Sequence, residues 1–297
     1  MTPTVRMRDD AAMGHRWAAT QSVLGVAVGM ALATLSGCAI PSGQPQAAPS
    51  CEHQDLATLY PEIFTFGTDQ PAYPPWYIGD NPANGEGFES AVAYAVAERL
   101  GYGPEQVRWV RIPFNTAMAP GAKPFDADLS QFSITDQRRE IVDFSAPYYD
   151  VTQAVVALRG SPAAAATSQD DLRPLRIGAQ VGTTSSGAAR SVGALEPVAV
   201  YNTNVEAKRA LAEGQIDALV LDLPTAITIQ AELADSLIVG QLPTSGEPVE
   251  QLGMVLDKDS RLTGCVSQAV EALRDDGVLD ELERRWLSDG TRPRTLS

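Results

Sequence analysis

The sequence predicts an α/β fold made of two lobes with open sheets. Three observations lead to this prediction. Segments typical of strands and helices alternate along residues 51–297, which favours open α/β sheets. A body of that length fits two lobes better than one large core. Polar residues follow several of the predicted strands, and α/β sheets bind ligands at the carboxyl ends of their strands.

The first half of the body begins with a strand over residues 63–68 (IFTFGT), which ends at Asp69. The next segment predicts a helix, because apolar side chains recur every four residues before a glycine that can end a helix: Phe88, Val92, Val96, Leu100 and Gly101. Residues 107–112 (VRWVRI) predict the second strand.

The second half continues the alternation. Predicted strands cover residues 151–158, 175–180, 217–221 and 252–256, and Asp222 follows the third of them. Predicted helices cover residues 204–213, a segment beginning near Pro224, and residues 261–275 and 278–287. Asn204 is the expected N-cap of the first helix, and Pro224 suits the first turn of the second.

The N-terminus has the pattern of an export signal. A basic region with three arginines precedes the apolar residues 18–35, which is typical of a signal peptide. Residues 35–38 read Leu-Ser-Gly-Cys and resemble the lipobox of bacterial lipoproteins. The resemblance implies that residues 1–37 are removed and that Cys38 is lipidated. An ordinary signal peptide or a single anchoring helix stays an alternative.

Residues 38–54 are expected to form a flexible linker between the lipid and the body, since residues 39–50 contain three prolines and no charge. The full chain has a net charge of −15. Loss of residues 1–37 removes three arginines and two aspartates, which leaves −16. This charge argues against binding to nucleic acid or to an anionic lipid surface.

The cysteines and histidines limit the chemistry further. Cys51 and Cys265 form an even pair outside the cytoplasm, so we predict a disulfide between them. Two buried free thiols are the alternative. His53 is the one histidine after residue 37, which argues against a histidine-based catalytic triad or metal cluster, and we predict no metal and no cofactor.

Arg138 stands out among the charged residues. Thr135 is a candidate N-cap and Asp136 follows it, so Arg138 falls in the first turn of a predicted helix, where the helix dipole disfavours a cation. Free backbone N–H groups and a guanidinium would together hold a carboxylate well. A surface ion pair with Asp136 or Glu140 is an equally good interpretation of this segment taken alone.

Two later segments complete a candidate site for a zwitterion. Residues 182–185 (Gly-Thr-Thr-Ser) precede a helix and offer N–H groups and hydroxyls to the same carboxylate. Asp222 offers a negative charge to an ammonium group. Taken singly, the first is more simply an N-capped helix and the second a helix cap. Their combination with Arg138 favours a binding site.

The chain resembles the bacterial extracellular solute-binding proteins, family 3, which serve amino-acid ABC importers. The resemblance extends from about Phe64 to Leu287. It rests on these segments: GTDQPAYPPW, GFESAVAYAVAERLG, SITDQRREIVDFSAPYY, VGTTSSGA, GQIDALVLDLP and GVLDELERRWL.

The resemblance implies a role for individual residues. Arg138 matches the arginine that binds the ligand α-carboxylate, with Thr183 and Thr184 contacting the same group from the second lobe. Asp222 matches the acid that binds the α-ammonium. The remaining matched positions line the site, Tyr73 or Trp76 and Phe114 as aromatic walls and Asp69 near the ligand side chain: Asp69, Tyr73, Trp76, Phe114, Ser130, Gln131 and Ser133.

The family fold implied is the type II periplasmic-binding-protein fold. Each lobe is a mixed, mostly parallel sheet flanked by helices, and two hinge crossings join the lobes. Residues 55–150 and 249–297 are expected to form lobe 1, and residues 151–248 lobe 2.

The implied protein is a monomeric lipoprotein on the outer face of the cell membrane that delivers an amino acid, polar or cationic if Asp69 meets its side chain, to a membrane permease. A small-acid dehydratase on the same scaffold and a ligand-sensing receptor subunit are alternatives. The sequence has no G-x-S-x-G segment and no clear general acid for the enzyme.

Overall fold

The computed structural model describes residues 50–243, 249–287 and 293–297. The predicted signal peptide (residues 1–37), the lipidation site Cys38 and residues 39–49 of the linker lie outside this part of the chain. Within it, every helix is too short or too polar to cross a membrane.

The secondary structure follows the predicted alternation of strands and helices. The strands are β1 Phe64–Thr68, β2 Val107–Arg111, β3 Ala127–Asp128, β4 Asp143–Phe144, β5 Tyr149–Val151, β6 Gln153–Leu158, β7 Ile177–Gln180, β8 Ala199–Tyr201, β9 Ala218–Asp222, β10 Ser236–Gln241, β11 Glu250–Leu252 and β12 Val255–Leu256. The α-helices are α1 Phe88–Arg99, α2 Phe114–Ala117, α3 Asp136–Arg139, α4 Gln169–Leu172, α5 Thr184–Ser191, α6 Asn204–Ala212, α7 Leu223–Glu232, α8 Thr263–Asp275 and α9 Val278–Trp286.

Lobe 1 is built on a five-stranded sheet with the order β2-β1-β3-β12-β4. Strand β1 pairs in parallel with β2 and β3, whereas β12 runs antiparallel to β3 and β4. Helices α1, α8 and α9 contribute to its main core, where Phe64, Phe88 and Val266 are fully buried. Strand β12 is thus the one strand of this sheet that runs antiparallel to the other four.

Lobe 2 has the same plan. Its sheet has the order β10-β6-β9-β7-β8, and β6 is the reversed strand. Val155 and Ala157 belong to the core under α5, while Ala154 and Val156 belong to the core under α6 and α7. This alternation places helices on both faces of the sheet. The predicted mixed, mostly parallel sheets flanked by helices are confirmed.

Two short strands join the lobes. Strand β5 leaves lobe 1 and β11 returns to it, and they pair antiparallel from Tyr149 opposite Leu252 to Val151 opposite Glu250. Both hinge crossings of the predicted fold are present. The predicted lobe boundary after residue 150 falls inside β5, and the boundary after residue 248 lies just before β11.

Cys51 and Cys265 form a disulfide, as the sequence predicted. The bond connects the first described residues to α8. It therefore attaches the N-terminal end of the body to the core of lobe 1, which includes the Cys265 side chain.

The C-terminal residues correct the predicted extent of lobe 1. Leu296 is fully buried in the core of lobe 2, and Thr295 pairs with Gln241 at the end of β10. The Leu296 N–H donates to the Gln241 carbonyl, and the Gln241 N–H donates to the Arg294 carbonyl. Residues 293–297 thus belong with lobe 2. The polar sequence of this tail has no periodic pattern from which such packing could be predicted.

Candidate functional site

A cavity between the lobes collects the predicted ligand-binding residues, Trp76 excepted. Residues from both lobes line it, near the carboxyl ends of β1, β7 and β9. The predicted residues that line it are Asp69, Tyr73, Phe114, Ser130, Gln131, Ser133, Arg138, Thr183, Thr184 and Asp222.

Trp76 does not line the cavity, which corrects the prediction that it could form the aromatic wall. Its side chain is fully buried in lobe 1, edge-on to Phe88 and Tyr149. Its indole N–H donates to Thr225 Oγ1 of lobe 2 at 2.8 Å. Tyr73 lines the cavity instead, so Trp76 joins the two lobes behind the wall that Tyr73 forms.

Arg138 is held across the cleft by backbone carbonyls. Its Nη1 donates to the Ser133 carbonyl at 2.7 Å in lobe 1, and its Nη2 donates to the Gly182 carbonyl at 2.9 Å in lobe 2. The guanidinium lies over the Phe114 ring, 5.6 Å from its centroid. Burial lowers the pKa of Arg138, while Glu250 and Asp222 act in the opposite direction. In this arrangement of the lobes, two backbone carbonyls therefore fix the orientation of the guanidinium.

The helix that carries Arg138, α3, is a single turn. Thr135 is its N-cap, as predicted, with Oγ1 accepting from the Arg138 N–H. The helix ends at Arg139 after one turn, so Arg138 lies in its last turn as well as its first. The prediction that Arg138 opposes a helix dipole was therefore wrong. The two carbonyl contacts, rather than a dipole, explain why Arg138 lies in the cleft.

The two threonines after Gly182 differ in what they can offer a ligand. Thr183 caps α5: its hydroxyl accepts from the Ser186 N–H and donates to the Gln180 carbonyl. The Thr184 hydroxyl instead meets the Ser133 hydroxyl across the cleft at 3.0 Å. A hydroxyl paired only with another hydroxyl can turn toward a ligand carboxylate. Of the two threonines, Thr184 therefore has the hydroxyl that is better placed to contact a ligand carboxylate.

Asp222 is free of the capping role that was its alternative interpretation. It is the N-cap residue of α7, but its side chain makes no capping hydrogen bond. Its Oδ1 accepts from Gln153 Nε2 at 2.8 Å. Burial and the nearby Glu250 raise the pKa of Asp222 to about 7. An ammonium group at this carboxylate would favour the ionised form.

Asp69 lines the cavity at the end of β1. Its backbone N–H donates to Ser130 Oγ, and its Oδ1 accepts from the Gln70 N–H at 2.7 Å. Its carbonyl accepts from Arg111 Nη1. Burial raises the pKa of Asp69, and the Gln70 N–H lowers it. Asp69 is thus a second carboxylate of the cavity.

Gln131 is held in an uncommon backbone conformation by a buried acid. Its φ is +53°, a region that costs a non-glycine residue on the order of 1–3 kcal/mol. Its N–H donates to Glu89 Oε1 and its side-chain amide to Glu89 Oε2. Tyr148 donates to the same carboxylate. Burial raises the pKa of Glu89 to about 7. Glu89, which the sequence did not indicate as a site residue, therefore orients Gln131.

Asn204 is the clearest lining residue that the sequence analysis missed. It was predicted to be the N-cap of α6, but Thr203 has that role and accepts from the Glu206 N–H. Asn204 is consequently the first helical residue, and its Nδ2 donates to the Tyr73 hydroxyl across the cleft at 2.5 Å. Other lining residues not predicted are Thr68, Pro71, Ala72, Tyr77, Gln180 and Ser185.

The charges of the lining suit a molecule with both a negative and a positive group. Arg138 is the cation among the lining residues, and Asp69 and Asp222 are the carboxylates. Side chains with hydroxyl and amide groups also line the cavity. Across the described ranges, no cluster of three or more His, Cys, Asp or Glu side chains has the arrangement of a metal site.

Comparison with known proteins gives a family match. Residues 64–289 match the model of the bacterial extracellular solute-binding proteins, family 3. An L-arginine-binding protein of Pseudomonas aeruginosa is 28% identical over 249 residues, which cover 78% of this chain and 94% of that protein.

Solved structures agree. An ancestral arginine-binding protein bound to arginine is 28% identical, with a TM-score of 0.65 over 76% of this chain and 99% of its own. The ancestral amino acid-binding protein AncCDT-1, a precursor of cyclohexadienyl dehydratase, is 27% identical, with a TM-score of 0.63 over 76% of this chain and 96% of its own.

Proposed function

Because the chain belongs to the bacterial extracellular solute-binding proteins of family 3, we propose that it captures an amino acid in the cleft between its lobes. Arg138 binds the α-carboxylate and Asp222 binds the α-ammonium. Thr184 and Ser133 add hydroxyl contacts to the carboxylate. The similarity to proteins that bind arginine supports a ligand of this class.

One observation carries this proposal. Arg138 of lobe 1 and Asp222 of lobe 2 line the same cavity, and each lies close enough to affect the pKa of the other group. An amino acid carries the opposite charge at each of its two α-groups. A zwitterion that contacts both residues therefore stabilises the closed arrangement of the lobes.

We propose further that the ligand side chain is polar or cationic. The lining contains two carboxylates and one guanidinium. If Asp222 neutralises the α-ammonium and Arg138 the α-carboxylate, Asp69 is left to meet the side chain. Asp69 is half-buried, and the Gln70 N–H occupies its Oδ1, so a further hydrogen-bond donor or a cation from the ligand would stabilise this carboxylate. Arginine, lysine and ornithine supply both, and glutamine supplies a donor.

The biological role we propose is delivery to an ABC importer. A lipid on Cys38 would hold the protein at the outer face of the cell membrane, the linker would give it reach, and the closed, ligand-bound monomer would dock on a membrane permease. A sensing role would use the same binding step with a receptor as partner. Deletion of an adjacent permease gene would abolish uptake in the first case only.

The alternative of a dehydratase-like enzyme has one observation in its favour, the similarity to AncCDT-1. The two functions differ in what happens to the bound molecule. A binding protein returns the ligand unchanged after denaturation, whereas an enzyme releases product. Chromatography of the small molecules after incubation with the protein separates the two.

The primary test is a thermal-shift screen of the standard amino acids. A ligand at 100 times its Kd stabilises the folded protein by about 2.7 kcal/mol, which corresponds to a rise in Tm of roughly 5–10 °C for a body of this size. We expect this rise for at least one polar or cationic amino acid. If none of them raises the Tm, the protein does not bind amino acids and the proposal is wrong.

A further inference from the structure

One buried amide connects two carboxylates at the hinge end of the cavity. Gln153 Nε2 donates to Asp222 Oδ1 at 2.8 Å and to Glu250 Oε2 at 3.0 Å. Asp222 lines the cavity at the end of β9, whereas Glu250 is the first residue of the hinge strand β11. The acid that faces the ligand is thus linked through one side chain to an acid in the hinge.

The position of Gln153 explains why it reaches both acids. It is the first residue of β6, separated from the hinge strand β5 by Thr152 alone, and it lies opposite Asp222 in the β6–β9 pairing. Its side chain is buried. Rotation of Gln153 toward one acid alone would leave the other without its donor, so the pair has one arrangement in which both are satisfied.

The cluster has more acceptors than donors. Gln153 Oε1 and Glu250 Oε1 are buried and have no hydrogen-bond partner among the described residues. A buried polar atom without a hydrogen-bond partner lowers the stability of the fold. A proton on Asp222 adds a donor to the cluster and removes one of two like charges.

Charged and titratable groups from several elements face Asp222. Glu250 of β11 and Glu89 of α1 raise its pKa, and Arg138 of α3 lowers it. Burial raises the pKa values of the Tyr73 and Tyr149 phenols, and Asp222 lies near enough to raise them further. After burial, Glu250 is the largest of the influences on Asp222.

We propose that Glu250 is a positioning residue for Asp222, the carboxylate that would receive the ligand ammonium. Glu250 holds Asp222 in place through Gln153 and keeps a proton on Asp222 until an ammonium-bearing ligand displaces that proton. The proton passes from Asp222 to solvent, and the ligand's ammonium, already charged, takes its place. No covalent bond to the ligand forms. This inference rests on the proposed function, because it requires that Asp222 receives an amino group.

The test compares Glu250→Gln with wild type by titration calorimetry between pH 5.5 and 7.5, in buffers of low and high ionisation enthalpy. The probe is L-arginine, or the amino acid with the largest thermal shift. Asp222 has a pKa of about 7 and must be ionised to bind the ammonium. The affinity of wild type should therefore fall roughly 25-fold as the pH is lowered from 7.5 to 5.5. We expect Glu250→Gln to lose less than about fivefold and to release fewer protons.

Two controls separate this effect from other causes. Glu271 lies exposed on α8, so Glu271→Gln makes the same charge change far from the cleft and should behave as wild type. For an arginine probe, 5-guanidinopentanoate lacks the α-amino group, and we expect its binding to release no proton from any variant.

The possible results distinguish the inference from the proposed function. Failure of wild type to bind any amino acid refutes both. Binding with equal pH dependence and equal proton release in Glu250→Gln and Glu271→Gln refutes the role of Glu250 alone. Should Glu250→Gln not fold, wild type still decides the matter, since pH-independent binding without proton release contradicts the displaced proton.

Discussion

The hydroxyl oxygens of Ser133 and Thr184 lie 3.0 Å apart although they belong to different lobes. Among the described residues, three further hydrogen bonds cross the cleft, from Arg138 to the Gly182 carbonyl, from Asn204 to Tyr73 and from Trp76 to Thr225. Such contacts exist only when the lobes are together. The described arrangement is therefore the closed one, and each contact is a place where closure can be tested.

Replacement of Arg138 by Ala should abolish ligand binding without unfolding the protein. Removal of one partner of a buried charge pair costs on the order of 2–5 kcal/mol, which is about 30-fold to several thousandfold in Kd. Calorimetry with the best amino acid from the screen measures the loss. Arg139 is exposed, so Arg139→Ala is the matched control. Equal affinity of the two variants would mean that Arg138 does not bind the carboxylate.

Asp222→Asn should weaken amino acids much more than their des-amino analogues. The substitution keeps a side chain that can interact with Gln153 but removes the charge that attracts an ammonium group. The Kd of 5-guanidinopentanoate divided by the Kd of L-arginine measures the preference for the α-amino group. We expect this ratio to be at least tenfold smaller in Asp222→Asn than in wild type, about 1.4 kcal/mol. The control is Asp235→Asn, an exposed site in lobe 2. A proportional loss for both ligands would argue against an ammonium contact.

Gly182→Ala should oppose closure of the cleft. Gly182 has a φ of +78°, and an added Cβ would lie 2.1 Å from Asn115 Oδ1 in lobe 1. Closure of the variant requires the exposed Asn115 side chain to turn aside, whereas the open arrangement does not, and the strain of a side chain at positive φ is present in both. Small-angle scattering with saturating ligand should show a more open average shape than wild type. Gly187 of α5 has free space around it, so a similarly open Gly187→Ala would refute the explanation.

Loss of the disulfide should destabilise the body. The bond joins Cys51 to Cys265, which are 214 positions apart in the sequence, and removal of a native disulfide typically costs about 2–5 kcal/mol. Urea unfolding of Cys51→Ser, Cys265→Ser and the double variant should give the same loss three times, because each change removes the same bond. Additive losses would instead indicate separate roles for the two side chains.

The ligand-free protein should lose stability as the pH rises from 5 to 7. An acid with a higher pKa in the folded state binds more protons when folded, so the free energy of unfolding falls as the pH rises between the two pKa values. For Glu89 this range runs from 4.5 to about 7. Urea unfolding at several pH values should give a smaller fall for Glu89→Gln than for Glu98→Gln, an exposed control on the same helix. Equal falls would contradict a buried, proton-binding Glu89.

The sequence predicted the fold well because local patterns and topology agree in this chain. The strand ends at Asp69 and Asp222 were visible from apolar runs followed by an acid, and both residues line the cavity. Arg138 was visible for the wrong reason: its helix has one turn, and two carbonyls from different lobes hold its side chain.

The misses came from information that a local pattern does not contain. The N-cap of α6 is Thr203, one residue before the predicted position. The Asn204 side chain therefore does not cap the helix and instead contacts Tyr73 across the cleft. Tyr73 and Trp76 are three residues apart, and which of them faces the cavity depends on contacts with the other lobe. Glu89 lies on a helix that the sequence predicted, yet its partners Gln131 and Tyr148 are distant along the chain.

The two ends of the body move with different lobes. Cys51 is bonded to α8 of lobe 1, and Leu296 is buried in lobe 2. A donor dye near residue 50 and an acceptor dye on Ser297 would therefore report the distance between the lobes by energy transfer, with no label inside the cleft. A protein fused to the C-terminus would, in turn, be attached to lobe 2, whereas the disulfide at Cys51 attaches the N-terminal end of the body to lobe 1.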